Sequence, residues 1–207
     1  PKVIEYGMIV GKLAPADSLK VLHSNFNKEY RGVLRILELK EHTSSIRVKV
    51  VRDSARLMSR IVNHESFKIL KKNMQVLVDQ PLEASYLEEN LHTTYNNFAV
   101  NMDSLTSKVV TAIIAKETVK GVETTEHMLL TGTTLTCFGK LEQMPYSSSS
   151  PSWIPGAVKA QYRLSPPSND YTYIITSMSK SELIERLKNT TKFLRISLVI
   201  FGTIGAG

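Results

Sequence analysis

Apolar and polar residues alternate over short segments along most of the chain, which is the pattern of half-buried β-strands. The alternation is most regular in Ser45–Val51, where Ile46, Val48 and Val50 alternate with Arg47 and Lys49. We expect further strands with similar patterns at Lys2–Leu13, Tyr30–His42, Met74–Val78, Val122–Leu130, Thr133–Leu141, Val158–Leu164 and Tyr171–Ile175. Thr131-Gly132 separates two of them and predicts a hairpin.

Helical spacing occurs in fewer places. Ala14–Leu22 is predicted as a turn or short helix, and Tyr86–Phe98 as an amphipathic helix or ordered loop. Ser104–Lys116 favours a helix, although its β-branched residues also permit a strand. A final helix is predicted after a cap at Ser179 or Ser181. Its apolar face would consist of Leu183, Ile184, Leu187 and Leu194.

Strands that follow strands without regular helices between them argue against parallel βαβ units. The predicted fold class is therefore α+β: a mainly antiparallel curved sheet or partly closed barrel, with two or three helices. We expect one domain over residues 1–192, with a Ser/Pro-rich loop insertion at residues 143–157.

The last segment, Phe193–Gly207, carries no charged residue after Arg195. Basic residues at Lys188, Lys192 and Arg195 precede the apolar run, as they do where helices enter a bilayer. A membrane-spanning helix needs about 20 apolar residues, and the run is shorter. We expect residues 193–207 to be the start of a truncated transmembrane helix, and the last predicted helix to lead into it. The alternative is a buried C-terminal core helix.

The chain of 207 residues has a formal net charge of +7, and the basic excess lies in its first 80 residues. Most of this excess falls in Ile46–Lys72. Such a stretch could contact anionic lipid or an acidic partner, or could simply be a solvated surface. The candidate interaction surface consists of Arg47, Lys49, Arg52, Arg56, Arg60, Lys68, Lys71 and Lys72.

No catalytic, cofactor-binding or metal-binding arrangement is apparent in the sequence. The five histidines are scattered, without the HxxxH or HExxH spacing of metal sites. The single cysteine, Cys137, excludes an internal disulfide and a CxxC site, and its apolar neighbours predict a buried inert thiol. Tyrosines at positions 162, 171 and 173 lie away from the basic stretch, so a nucleic-acid partner is not expected.

Two segments resemble a known family. They are Tyr30–His42 (YRGVLRILELKEH) and Lys120–Leu141 (KGVETTEHMLLTGTTLTCFGKL), and the opening Val3–Gly7 is also similar to the family's first strand. The family is the BAM ("beside a membrane") or GIDE domain of mitochondrial outer-membrane RING E3 ligases of the MAPL/MULAN type. The resemblance covers most of residues 3–207. The insertion around Ser147 departs from the shorter connection expected for the family.

The resemblance implies a domain in the intermembrane space, held by a second membrane span that starts near Phe193. A cytosolic RING would transfer ubiquitin, and in this family also SUMO, in processes such as mitochondrial dynamics and apoptosis. The zinc of that RING needs a cluster of Cys and His, which one cysteine cannot provide. The resemblance therefore implies a recognition or regulatory domain that binds partner or substrate proteins and uses no cofactor of its own.

Two other hypotheses stay open. The chain could be a membrane-associated binding module that uses its basic surface on anionic lipid or another acidic partner, with binding that falls steeply with salt. It could also be an enzyme domain, which would need a pocket that holds titratable groups with shifted pKa values. The sequence does not determine the oligomeric state or the identity of the partners.

Overall fold

A computed structural model describes residues 2–47, 50–72, 74–99, 117–144 and 160–191. Within these ranges the chain forms eleven strands, two short 3₁₀ turns and one α-helix, α1, at residues 180–191. The 3₁₀ turns are Pro81–Glu83 and Glu88–Asn90. The strands are β1 (Val3–Pro15), β2 (Leu22–His23), β3 (Arg31–Arg47), β4 (Val50–His64), β5 (Phe67–Lys71), β6 (Met74–Val78), β7 (His92–Ala99), β8 (Glu117–Leu130), β9 (Thr134–Gln143), β10 (Ala160–Ser165) and β11 (Ile174–Thr176).

Five strands close into a barrel in the order β1-β5-β6-β10-β9, because β1 pairs with both β5 and β9. The short strand β11 pairs with β9 beside β10. All pairs of the barrel are antiparallel except β6–β10, which is parallel. Closure at β1 requires a close approach to β5, where a Cβ on Gly11 would overlap the carbonyl oxygen of Leu70. Gly11 therefore has a steric role in closing the barrel.

A second, open sheet contains the longest strands. β3 lies at its centre, with β8 on one side and β4 on the other, and β7 pairs with the far side of β8. One end of this sheet packs on the barrel, since Leu34, Ile36 and Leu129 belong to the same apolar cluster as the barrel residues. The barrel contributes to that shared core Ile9, Leu13, Phe67, Ile69, Val76, Val78, Leu135, Cys137, Leu141, Leu164 and Ile175.

The described residues contain more strand and less helix than the predicted α+β class. Segment Tyr86–Phe98 was predicted as a helix or ordered loop, but its second half forms β7 because it pairs with β8. The strand predicted at Ser45–Val51 is divided, since β3 ends at Arg47 and β4 begins at Val50. β4 itself, in the basic stretch, was not predicted beyond Val51.

The hairpin predicted around Thr131-Gly132 is also wrong. Both flanking strands exist, but β8 pairs within the open sheet and β9 within the barrel. Gly132 has φ 84°, and its N–H donates to the carbonyl of Leu13. The turn therefore carries the chain from one sheet to the other.

The curved, mainly antiparallel sheet and the last helix are confirmed. Ser179 is the cap: its N–H donates to Glu182 Oε2 at 2.7 Å, and its Oγ accepts from the N–H of Glu182 at 3.3 Å. Of the predicted apolar face, Leu183 is buried, whereas Ile184 and Leu187 are about two-fifths exposed.

Several predicted segments lie outside the described residues. They are Ser104–Lys116, most of the loop insertion at 143–157, and the apolar run Phe193–Gly207. No helix in the part of the chain that the structure describes is long and apolar enough to cross a membrane.

Candidate interaction surface

The structure distributes the eight basic residues of the candidate surface over two sheets. Arg47 ends β3, Arg52, Arg56 and Arg60 lie on β4, and Lys49 falls outside the described residues. The other three belong to the barrel: Lys68 and Lys71 on β5, and Lys72 directly after it. The predicted residues therefore do not share one strand, and the arginines of β4 form a group separate from the lysines of the barrel.

Lys68, Lys71 and Lys72 have few polar contacts. Lys68 Nζ lies 3.5 Å from the carbonyl oxygen of Ala16 and is half-buried, whereas Lys71 and Lys72 are exposed. Lys72 adopts a left-handed conformation with φ 48° at the turn between β5 and β6. Lys71 and Lys72 are therefore the two barrel lysines whose charges are exposed to solvent, where an anion could reach them.

Strand β4 forms an edge of the open sheet. Among the described strands it pairs only with β3, so one side of its backbone has no strand partner there. Every residue from Ser54 to Val62 is exposed. The exposed set includes large apolar side chains: Leu57 at 49%, Met58 at 54%, Ile61 at 50% and Val62 at 37%. A long, apolar edge strand of this kind is a template for pairing with another chain.

The apolar side chains of β4 lie on both faces of the sheet. Leu57 is opposite Lys40 and Val62 is opposite Ile36, so both share the face of β3 that leads into the core. Ile61 is opposite Leu37 on the other face. The register shifts at Met58, which is an extra residue on β4 and forms a bulge there.

Arg60 connects β4 to two acidic residues. Its Nε lies 3.3 Å from Glu38 Oε1, and its Nη2 lies 2.5 Å from Glu88 Oε2. The hydrogen bond to Glu88 raises the pKa of Arg60, and a hydrogen bond from Lys40 lowers the pKa of Glu38. Arg60 is therefore oriented by its neighbours, whereas Arg56 extends from an exposed position opposite Glu41.

Farther along the same face of the sheet, His42 and Glu123 form a pair. His42 Nε2 and Glu123 Oε2 are 2.8 Å apart, and the His42 ring packs edge-on against Phe98. The hydrogen bond from His42 lowers the pKa of Glu123, with a smaller contribution from Asn96. Glu38, Lys40 and His42 lie on alternate positions of β3, next to β4, and Glu123 lies on β8. Ion pairs join Lys40 to Glu38 and His42 to Glu123.

A second site in the open sheet was not predicted from the sequence. Glu126 on β8 is fully buried, and it accepts hydrogen bonds from the Ser24 hydroxyl, from the Asn25 N–H at 2.9 Å and from the Thr94 hydroxyl at 2.6 Å. The carboxylate thus holds the segment after β2 against β7 and β8. All three donors are more than 30 residues away from Glu126 in the sequence. The residues next to Glu126 in the sequence therefore gave no sign of this role.

A groove of about 630 Å³ lies beside α1. Tyr6 and Tyr171 line it with ring centroids 4.8 Å apart, and Leu187 of α1 faces it. Arg186 attaches the helix to the adjacent turn, with its Nη2 2.6 Å from Glu89 Oε2 and its guanidinium 4.8 Å from the centre of the Tyr86 ring. The groove is lined by three tyrosines, Tyr6, Tyr86 and Tyr171, and by the carboxylates of Glu89 and Asp170.

Neither a reactive cysteine nor a metal-binding cluster occurs among the described residues. Cys137 is fully buried in the barrel, and burial raises the pKa of its thiol to about 12. The thiolate, which is the reactive form, is therefore rare at neutral pH. Within the described ranges, no group of three or more His, Cys, Asp or Glu residues could hold a metal ion. Strand β4 offers an exposed sheet edge along Ser54–Val62.

Comparison with known proteins gives the family context. A family model described as "GIDE: E3 Ubiquitin ligase" matches residues 154–207, which include β10, β11 and α1. The chain is 25% identical to the human protein named "Mitochondrial ubiquitin ligase activator of NFKB 1", over 97% of this chain and 53% of that protein.

Two further relatives have similar values. The Xenopus laevis protein of the same name is 26% identical over 97% of this chain and 54% of its own length. The Drosophila melanogaster "Mitochondrial E3 ubiquitin protein ligase 1" is 26% identical over 99% of this chain and 55% of its own length. The chain thus spans about half the length of the curated relatives it matches, and no solved structure matches it. These similarities confirm the family resemblance of the sequence: the chain is similar over nearly its whole length to proteins named as mitochondrial ubiquitin ligases or ligase activators, and its residues 154–207 match the GIDE family model.

Proposed function

We propose that this chain is the recognition or regulatory domain of a mitochondrial outer-membrane RING E3 ligase, and that it binds partner or substrate proteins while a separate RING transfers ubiquitin. The observation that carries the proposal is the similarity to mitochondrial ubiquitin ligases over 97% or more of the chain. The described residues support it because they include an edge strand, β4, whose residues Ser54–Val62 are all exposed. Transfer of SUMO by the same ligase is part of the proposal.

The proposed location is the intermembrane space. In this arrangement α1 leads toward the membrane, and the apolar run from Phe193 begins a transmembrane helix. The Ser179–Glu182 cap fixes where α1 starts, and Arg186 binds the helix to the turn at Glu89. Together with the buried side chain of Leu183, these contacts would orient the start of the helix relative to that turn.

Protease protection in isolated mitochondria tests the location. With the outer membrane intact, added protease should leave the domain undigested, as detected with an antibody against it. Rupture of the outer membrane by osmotic swelling should make the domain accessible. A cytosolic outer-membrane protein serves as a digestion control. Digestion of the domain in intact mitochondria would contradict the proposed location.

Lipid binding by the basic residues is the competing proposal. It is supported by the exposure of Lys71 and Lys72 on the barrel, apart from the arginines of β4. Sedimentation with vesicles that contain anionic phosphatidylserine should then fall steeply with salt, and Lys71→Glu with Lys72→Glu should abolish it. Equal sedimentation with neutral phosphatidylcholine vesicles would rule this competing function out.

A further inference from the structure

We propose that β4 is a docking strand on which an extended, acidic segment of a partner protein adds to the open sheet. The inference rests on the proposed protein-binding function and identifies its surface. The contact would extend along Ser54–Val62, where every residue is exposed. Antiparallel or parallel pairing with a free sheet edge is an established way for proteins to bind extended peptides.

The first argument is the backbone edge. β4 has 15 residues, well above the length of an ordinary strand, and among the described strands it pairs only with β3. Proteins usually shorten such an edge or cover it, because its free N–H and C=O groups favour association. On β4 the only interruption is the bulge at Met58, which leaves pairing positions on both sides of it.

The second argument is the side chains beside that edge. Leu57 and Val62 lie on one face and Ile61 on the other, so an added strand would find apolar neighbours for its side chains on both faces. Pairs of this kind between adjacent strands are a main source of sheet stability. Exposed apolar residues grouped on one strand are otherwise unfavourable on a protein surface.

The third argument is charge, and it identifies the partner. Within Ser54–Val62 the strand carries two arginines, Arg56 and Arg60, and no acidic residue. Arg60 is already paired with Glu38 and Glu88, whereas Arg56 is exposed. Antiparallel pairing of two copies centred on Met58 would place Arg56 opposite Arg60, and like charges directly opposite each other destabilise a sheet. A segment with Glu or Asp at intervals would instead complement them. The charges thus favour an acidic partner segment over a second copy of this chain.

The test uses the whole chain and three synthetic probes. The first probe is a capped ten-residue peptide of alternating Glu and Val. The second replaces Glu by Lys, and the third is the Glu peptide with every backbone amide N-methylated, so that neither of its edges can donate hydrogen bonds. We expect the Glu peptide alone to bind in calorimetry, and to slow hydrogen exchange of the β4 amides selectively. The Lys peptide would meet like charge, and the N-methylated peptide could not complete the backbone pairing.

Two charge-reversal variants serve as a matched pair. Arg56→Glu and Lys71→Glu change the net charge equally, and both positions are exposed, but only Arg56 lies on β4. We expect Arg56→Glu to weaken binding of the Glu peptide about tenfold and Lys71→Glu less than twofold. Ile61→Thr, which removes apolar contact and keeps β-branching, should also weaken binding.

Three results would overturn the docking proposal. They are binding of the N-methylated peptide with equal affinity, equal weakening by Arg56→Glu and Lys71→Glu, and exchange of the β4 amides that the Glu peptide does not change. None of these measurements involves ubiquitin transfer or a membrane. A negative result would therefore exclude β4 as the binding surface but would not decide whether the domain recognises partners. That question is tested separately by comparing the intact ligase with a version that lacks this domain.

Discussion

At the scale of single residues, charged groups in the open sheet have two different environments. Glu126 is fully buried and receives all its hydrogen bonds from the protein. Glu38, Glu123 and Arg60 are partly exposed and form ion pairs near the surface. Buried polar groups are costly when a partner is removed, whereas exposed ion pairs contribute little to stability. The two groups should therefore respond differently to substitution.

Replacing Glu126 by Leu should destabilise the fold. The hydroxyls of Ser24 and Thr94 can rotate to other partners, but the N–H of Asn25 would lose its acceptor. We expect the free energy of unfolding in urea to fall by about 1–3 kcal/mol, with a smaller loss for Glu126→Gln, which keeps an acceptor oxygen. Glu29→Leu is the matched control at an exposed position and should change stability by less than about 0.5 kcal/mol. Equal effects of Glu126→Leu and Glu29→Leu would contradict the role of Glu126.

The His42–Glu123 pair predicts a pH dependence. The hydrogen bond from His42 lowers the pKa of Glu123 in the folded state below its ordinary value of 4.5. Ionised Glu123 therefore stabilises the fold above about pH 4.5, and this contribution is lost as the pH falls through the lower folded-state pKa. Urea unfolding of the wild type and of Glu123→Gln, measured from pH 3 to pH 6, should give converging stabilities toward the acidic end. A constant difference over that range would contradict the assignment.

At the scale of elements, the sequence predicted strands well where apolar residues alternate and where a polar turn separates them. β3, β6, β8 and β9 follow such segments. The cap at Ser179 was also predictable, because a serine followed three residues later by glutamate is a local signal.

The pairing of those strands was not predictable from local pattern. Thr131-Gly132 has the composition of a hairpin turn, but β8 and β9 pair with strands from distant parts of the chain. β4 was missed because its apolar residues form two adjacent pairs, Leu57-Met58 and Ile61-Val62, four residues apart. That spacing is typical of a helix face and lacks the alternation of a half-buried strand. Because both faces of this edge strand are exposed, its apolar residues do not alternate with polar ones. The strand is recognised only from its pairing with β3.

Closure of the barrel gives a prediction at the same scale. Gly11→Ala should destabilise the chain by about 1–3 kcal/mol, because the added methyl would overlap the Leu70 carbonyl in the β1–β5 pair. Gly132→Ala is an informative comparison, since no atom obstructs its methyl but φ is 84°. We expect it to cost about 1 kcal/mol. Urea unfolding measures the stability change of both variants. If Gly11→Ala left the free energy of unfolding unchanged, β1 and β5 could move apart to accept the methyl group, and Gly11 would not be needed for closure.

At the scale of the whole molecule, β4 and α1 are connected through one short turn. Glu88 binds Arg60 of β4, and the next residue, Glu89, binds Arg186 of α1. The proposed docking strand and the helix that would approach the membrane are thus oriented by adjacent carboxylates. The barrel and one end of the open sheet share one apolar cluster, to which neither β4 nor α1 contributes any of its described residues. The two ion pairs at Glu88 and Glu89 therefore relate β4 to α1.

The proposed separation of recognition from ubiquitin transfer is tested most directly in the whole ligase. The measurement compares discharge of ubiquitin from a charged E2 with ubiquitin attached to protein substrates in mitochondria, for the intact ligase and for a version without this domain. We expect E2 discharge to be unchanged and substrate-linked ubiquitin to fall, because under the proposal a separate RING performs the transfer and this domain binds the substrate. An equal loss of both would show that the domain takes part in transfer, and unchanged substrate attachment would show that it recognises no substrate.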